Sequence, residues 1–242
     1  MDMDDELSYD EDITIFSPNG RLYQVEYARE SVKKSTTTIG LKFKNGVILL
    51  ALKNIGSNLI EYSAMNKIKK IDTYISCTFC GLSADARNLI DFAREDAQIN
   101  KFLYGNNIPI KSLVENLCEY MNVYSRFEIV RPFGVVLFIA GVDEKGPHLF
   151  VTDPSGAFLE YKAICEGKKK NVVIKYLEKY YNENMNIETA IKLGLQAIKK
   201  STKKKIESKY IELGVVEKNK PFEKLSINDI DYYMKKVYYD RV

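Results

Sequence analysis

Apolar positions along the chain change period several times, and each change marks a predicted element. From Gly20 to about Lys34 the positions Leu22, Val25, Tyr27, Ala28 and Val32 recur mostly at helical spacing, which predicts a short amphipathic helix after the turn Ser17-Pro18-Asn19-Gly20. Thr36 to Phe43 and Val47 to Leu52 are rich in β-branched and aliphatic residues, and Lys44-Asn45-Gly46 between them carries the Asn-Gly pair favoured in tight hairpins. Lys67 to Phe79 predicts a further strand pair around Ile68, Ile71, Tyr74 and Ile75. Ser83 is expected to cap a helix from Ala84 to about Phe102, with Asp85 in the first turn and a buried stripe of Ala86, Leu89, Ile90, Ala93 and Ala97.

A second helix is predicted over Ile110 to Tyr124, with Leu113, Leu117, Tyr120 and Met121 on one face. Strands follow at Val135 to Val142 and His148 to Thr152, the second ending at the turn Asp153-Pro154-Ser155-Gly156. Helices at about Lys169 to Tyr181 and Ile187 to Ser201, a strand at Tyr210 to Val216 and a helix at Asn228 to Val237 complete the pattern. The order runs strands, helices, strands, helices. That predicts α+β layers rather than βαβ alternation.

Composition narrows the function classes. With 242 residues, 45% of them hydrophobic, the chain can bury one substantial core. A formal charge of +3 is too near balance to require nucleic acid or an anionic membrane as partner, and no apolar run approaches the ~20 residues that span a bilayer. The start, Met1-Asp2-Met3-Asp4-Asp5-Glu6, lacks the basic region and apolar core of a signal peptide. Residues 1–12 read as a mobile tail ordered by a partner, and 13–242 as a single domain. Cys77, Cys80, Cys118 and Cys165 sit within or beside apolar runs, as reduced thiols do, so a soluble protein in a reducing compartment is expected.

Three chemical signals fade when weighed. Cys77-Thr78-Phe79-Cys80 has metal or redox spacing, but there is no second such pair and the one histidine, His148, is distant. Residues three apart on a strand also point to opposite faces, so packed thiols are expected and no metal site. His148 has no accompanying nucleophile motif. The lysines at 168–170 and at 199, 200 and 203–205 could mark nuclear import or RNA contact, but they lie on or near helices with a separate apolar side, which favours solvent-exposed charge.

The string Tyr9-Asp10, then Ile15-Phe16-Ser17-Pro18-Asn19-Gly20-Arg21-Leu22-Tyr23-Gln24-Val25-Glu26-Tyr27-Ala28, closely resembles the N-terminal signature of proteasome α-type subunits. Gly81-Leu82-Ser83-Ala84-Asp85-Ala86-Arg87, Arg131-Pro132-Phe133-Gly134-Val135 and Asp153-Pro154-Ser155-Gly156 extend the resemblance along nearly the whole chain. It implies a four-layer α-β-β-α sandwich of the N-terminal-nucleophile hydrolase type, with an added N-terminal helix. It also implies a non-catalytic subunit of a heptameric outer ring that restricts substrate entry and docks activators. The implied partners are neighbouring α subunits, β subunits, activator C-terminal tails and unfolded polypeptide in transit, with no cofactor, nucleic acid or membrane.

Thr36-Thr37-Thr38-Ile39-Gly40 also looks like the mature start of a catalytic β-type subunit, whose threonine uses its own free α-amino group as proton acceptor. Here a predicted helix and Ser35 precede Thr36, and the position of the β-type carboxylate is Leu52. No catalytic residue is therefore expected.

The resemblance instead assigns Lys67 to an inter-subunit pocket that pairs with the terminal carboxylate of an activator tail, with Gly20, Glu26, Arg29, Gly81 and Leu82 in the same pocket. It places Tyr9, Asp10, Pro18 and Tyr27 in a cluster that holds the gating tails upright. Glu11 departs from the family arginine at that point and would reverse any salt link made there. The segment Gly141 to Pro147 is similar to the fifth eukaryotic α type, toward which the reading leans, whereas Phe158 to Ala163 looks equally archaeal. A cytoplasmic location follows, and a nuclear one as well in a eukaryote.

Overall fold

The computed structural model describes residues 15–53, 59–61, 65–126, 130–202 and 206–239. The Ser17 to Gly20 turn is closed by Gly20 N–H donating to Ser17 O at 2.8 Å and leads into helix α1, Tyr23–Lys34. Strands β1 (Thr38–Phe43), β2 (Gly46–Leu52), β3 (Lys69–Asp72) and β4 (Ile75–Gly81) come next, then helices α2 (Ser83–Tyr104) and α3 (Ile110–Tyr124). Strands β5 (Val135–Asp143), β6 (Gly146–Thr152), β7 (Phe158–Glu160) and β8 (Ala163–Glu166) follow. Helices α4 (Lys170–Tyr180) and α5 (Ile187–Ser201), strands β9 (Ile211–Glu217) and β10 (Glu223–Lys224), and helix α6 (Ile227–Tyr239) close the chain.

The strands form two antiparallel five-stranded sheets, ordered β10-β9-β2-β1-β8 and β3-β4-β5-β6-β7. Helices α4, α5 and α6 cover the first sheet, and α2 and α3 cover the second. The remaining faces pack on each other. The fold is therefore the expected four-layer α+β sandwich, and α1 adds a piece resting on β4 and β5.

Burial on both faces explains why β2 and β5 carry nearly unbroken apolar runs. On β2, Ile48 and Leu50 enter the core under α4 to α6, while Val47, Leu49 and Ala51 enter the core between the sheets. On β5, Leu137 and Ile139 face α2 and α3, while Val136, Phe138 and Ala140 face the other sheet. The same alternation separates Cys77, under the helices, from Cys80, between the sheets. Burial pushes their thiols up to about 12 and about 11, so both stay protonated and act as small apolar groups.

Several boundaries differ from expectation for physical reasons. Leu82, not Ser83, is the cap of α2, and no side chain caps the helix. Asp85 in its first turn instead accepts from Gly134 N–H at 2.8 Å and pairs with both terminal nitrogens of Arg131. Strands β7, β8 and β10 lie outside the expected elements, being too short to show an alternation. They form because β6, β1 and β9 offer pairing edges.

The Asn45-Gly46 pair also works differently. Phe43 pairs with Gly46 across a two-residue turn, yet neither Asn45 nor Gly46 takes a positive φ. Glycine is required because a Cβ there would lie 2.2 Å from Val216 O on β9. Gly46→Ala should therefore cost about 1–3 kcal/mol by forcing β2 and β9 apart, measured by urea unfolding. An unchanged unfolding midpoint would show that the two strands can separate without penalty.

Candidate functional site

The structure concentrates chemistry where the first sheet begins, beside the end of α1. Lys67 is 9% exposed, and the segment carrying it is fixed by a buried carboxylate on β9. Glu212 Oε2 accepts from Lys67 N–H at 3.0 Å and from Ile68 N–H at 2.9 Å. Lys53 and Lys224 ammoniums at 2.9 and 3.1 Å balance the charge of Glu212. Glu212 belongs to no expected site. Its one sequence signal is a lone acid in the apolar strand Ile211-Glu212-Leu213, where a buried charge requires partners.

The Lys67 side chain then reaches toward the start of β1. Its Nζ donates to Thr36 Oγ1 at 2.8 Å and to Thr38 Oγ1 at 3.3 Å, and it lies 5.4 Å from the Phe79 ring centroid. No carboxylate among the described residues lies within ion-pair distance of Nζ. Burial pulls the ammonium below the usual lysine range, against opposing pulls from Cys80 and Glu212.

Nζ sits on the wall of an open cleft of about 750 Å³, lined also by Lys34, Ser35, Thr36, Lys69 and Phe79. Gly81, Arg87, Asp91, Arg94 and Lys168 lie on the same lining. Gly81 has φ +129, and a Cβ on it would lie 2.2 Å from Gly134 O, so no other residue fits without movement.

Thr36 itself is locked into continuous chain. Lys168 N–H donates to Ser35 O at 3.0 Å, Thr37 Oγ1 donates to Lys168 O at 2.9 Å, and Gly167 packs against Thr36 O. Its nitrogen is an amide following α1. Leu52, at the β-type carboxylate position, packs partly buried on an apolar cluster. The lysine at Thr36 Oγ1 is the same lysine that the resemblance places in the docking pocket. In the sequence these are two separate questions; the fold joins them at one ammonium.

The other expected site residues are spread more widely. Leu82 is 44% exposed and borders the cleft as the residue between Gly81 and Ser83. Gly20, at φ +70, completes the turn before α1, with open space where a Cβ would be. Glu26 accepts from Arg29 Nη1 at 2.6 Å, and Arg29 grips Asp153 through Nε at 3.0 Å and Nη2 at 2.9 Å. That fork lines a different depression, with Val32, Lys33 and Pro154.

Pro18 is exposed, and Tyr27 is half-exposed on α1, stacked on Tyr23 with centroids 6.4 Å apart. Tyr9, Asp10, Glu11 and the 1–12 tail lie outside the described residues, as do lysines 203–205. His148 lies between Glu160 Oε1 at 3.0 Å and Asp143 Oδ1 at 3.1 Å on the β5–β6 hairpin. Among the described residues no cluster of ligating side chains could hold a metal, and no helix is long and apolar enough to cross a membrane.

Residues 32–216 match the family model for proteasome subunits, and residues 9–30 match the model for the N-terminal signature of A-type proteasome subunits. The proteasome alpha subunit of Methanosarcina thermophila is 45% identical over 233 residues, covering 96% of this chain and 94% of the relative. The chain belongs to the proteasome α-type subunit family. It is an α subunit of the core particle, the non-catalytic kind, and its partners are other proteasome subunits. Similar relatives include the proteasome alpha subunit of Archaeoglobus fulgidus, 46% identical over 232 residues (96% of this chain, 94% of the relative). That of Methanococcus vannielii is 43% identical over 231 residues (95% and 89%).

Within this α-type subunit, the Arg29–Asp153 fork ties α1 to the turn after β6. Desolvation raises the Asp153 carboxyl, but hydrogen bonds from Arg29 and Ser155 outweigh it and hold Asp153 below the usual carboxylate range. A depressed carboxyl contributes stability that is present above its unfolded value and lost as pH falls through its folded value. Asp153→Asn should speed amide exchange in α1 at neutral pH. Because both groups are about one-third exposed, the loss should be no more than about 1 kcal/mol. The difference from the native chain should close as pH falls through the lowered value of Asp153, since protonated Asp153 then resembles the variant. A gap that persists in acid would assign the effect to geometry instead of charge.

Proposed function

We propose that this α subunit forms part of the outer ring of the core particle, gates entry with its N-terminal segment, and docks activator tails through the Lys67 cleft. The observation that carries the reading is a nearly buried ammonium, bound to two hydroxyls and no carboxylate, on the wall of a cleft open to solvent. An arriving terminal carboxylate supplies the missing counter-charge, and burial of Lys67 already shields the ammonium from much of the competing water. Gly81 lines this cleft and Leu82 borders it, whereas Arg29, which holds Glu26, lines a separate depression; in this reading one copy supplies the ammonium and a neighbouring copy the Gly20, Glu26 and Arg29 side.

In this reading Pro18 and Tyr27 brace a tail through Tyr9 and Asp10 of the same or an adjacent copy, and Glu11 makes that closure differ from one built on arginine. Peptide cleavage belongs to the β subunits, and the polypeptide admitted is unfolded. The archaeal relatives favour a ring of identical copies in the cytoplasm over the fifth eukaryotic type.

A second reading, hydrolysis at Thr36, has the 2.8 Å Lys67 contact in its favour. It needs a free α-amine, which an amide nitrogen following α1 does not supply. Receptor chemistry therefore accounts for the lysine better than catalysis does.

Lys67→Ala should leave the ring assembled and weaken docking of an activator by about 2–4 kcal/mol, read by titration against the assembled particle. Unchanged docking would make Lys67 an ordinary structural lysine. The pH dependence has a definite sign. Only the ammonium pairs with a carboxylate, so binding favours the protonated form, and affinity should fall as pH rises through the lowered value of free Lys67. Affinity that is flat or rising from neutral to pH 10 would count against ammonium recognition.

A further inference from the structure

Beyond Lys67, the cleft holds more positive charge than one carboxylate can use. Lys34, Lys69, Arg87, Arg94 and Lys168 also line it, and among the described residues Asp91 is the one acid on the lining. Asp91 is already paired, since Arg94 Nη1 lies 3.1 Å from its Oδ1. Among the described residues, Lys34, Lys69, Arg87 and Lys168 make no ion pair. They flank the mouth at differing exposure, with Arg87 projecting from the first turns of α2.

The same end of α2 adds partial positive charge. Its first intrahelical bond is Ala86 N–H to Leu82 O, and no side chain caps the residues before it. Apolar contact is also available from Met65, Phe79 and Ile90. A volume of about 750 Å³ is within the ordinary range of ligand pockets.

We propose that this cleft selects C-terminal peptide segments that carry one or more acidic side chains next to their terminal carboxylate, and disfavours segments ending in basic residues. The inference rests on the docking reading above and names the partner chemistry. Lys67, deep and nearly buried, takes the terminal carboxylate. Arg87, Lys69, Lys34 and Lys168, nearer solvent, act on the preceding side chains through a shared field that salt screens. A peptide fits better than a long polyanion, because the most buried cation, Lys67, offers a single ammonium and apolar side chains share the lining.

The test uses the full-length chain in its assembled ring and four fluorescent heptapeptides. One ends Asp-Glu-Leu-Ala with a free carboxylate, the second is its C-terminal amide, the third ends Ser-Gln-Leu-Ala and the fourth Lys-Lys-Leu-Ala. At low ionic strength the acidic free acid should bind about five- to tenfold more tightly than the Ser-Gln peptide, and the Lys-Lys peptide more weakly still. The doubly substituted ring Lys69→Gln, Arg87→Gln should lose that preference yet still prefer free acid to amide. Lys67→Ala should lose the acid-over-amide preference and keep part of the side-chain preference.

If free acid beats amide but acidic and neutral peptides bind alike, the charge selection is wrong and the docking reading survives. If acid and amide bind alike, the docking reading itself fails. Inorganic polyphosphate that competes at the Lys67 site while the acidic peptide shows no advantage would overturn the proposal in favour of a polyanion site.

Discussion

One constraint organises this end of the molecule: an ammonium placed almost out of water must be given acceptors and a rigid mount. Glu212 provides the mount by accepting two successive backbone N–H groups, at Lys67 and Ile68, and it is itself neutralised by Lys53 and Lys224. Thr36 and Thr38 provide the acceptors. Both threonines are held in turn, Thr38 by donating to Phe79 O across to the second sheet and Thr36 by the Ser35 to Lys168 crossing. Removing any member leaves a buried polar group unmatched, which ordinarily costs more than the contact contributes.

This mount explains how one geometry can serve two chemistries. A lysine within hydrogen-bond reach of a threonine hydroxyl resembles part of a hydrolytic centre. The deciding atom is the Thr36 nitrogen. Bound in a peptide after α1, it cannot take a proton from the hydroxyl, which is why we propose the lysine as a receptor for negative charge and not as part of a hydrolytic centre. The helix responsible is tied down independently by the Arg29–Asp153 fork and by Ser31, whose hydroxyl donates to Gly134 O at 2.8 Å. The polar anchors of α1 thus hold in place the segment that decides what the cleft can do.

Much of the fold is legible in the sequence because the apolar periods are long and clean. The two helices over the second sheet, the buried stripe of the first of them and the unbroken strands β2 and β5 all follow from residue type and spacing. What is not legible depends on partners distant in sequence. Strands of two to four residues have no period of their own. Gly46 looks like a turn residue, but the close approach of Val216 O is what excludes a side chain there. Ser83 looks like a cap, but Leu82 takes that position, and Asp85 turns away to Arg131 and Gly134. Lys67 stands out by resemblance, while Glu212 and the hydroxyl contacts emerge only once the first sheet places β1 and β9 on either side of β2.

The most direct measurement is the intact mass of this chain taken from assembled particles, before and after exposure to an electrophile that requires both a threonine hydroxyl and its free α-amine. The account predicts that the residues ahead of Thr36 remain attached and that no adduct forms on this chain. A polypeptide beginning at Thr36, or one that gains the mass of the electrophile there, would contradict it.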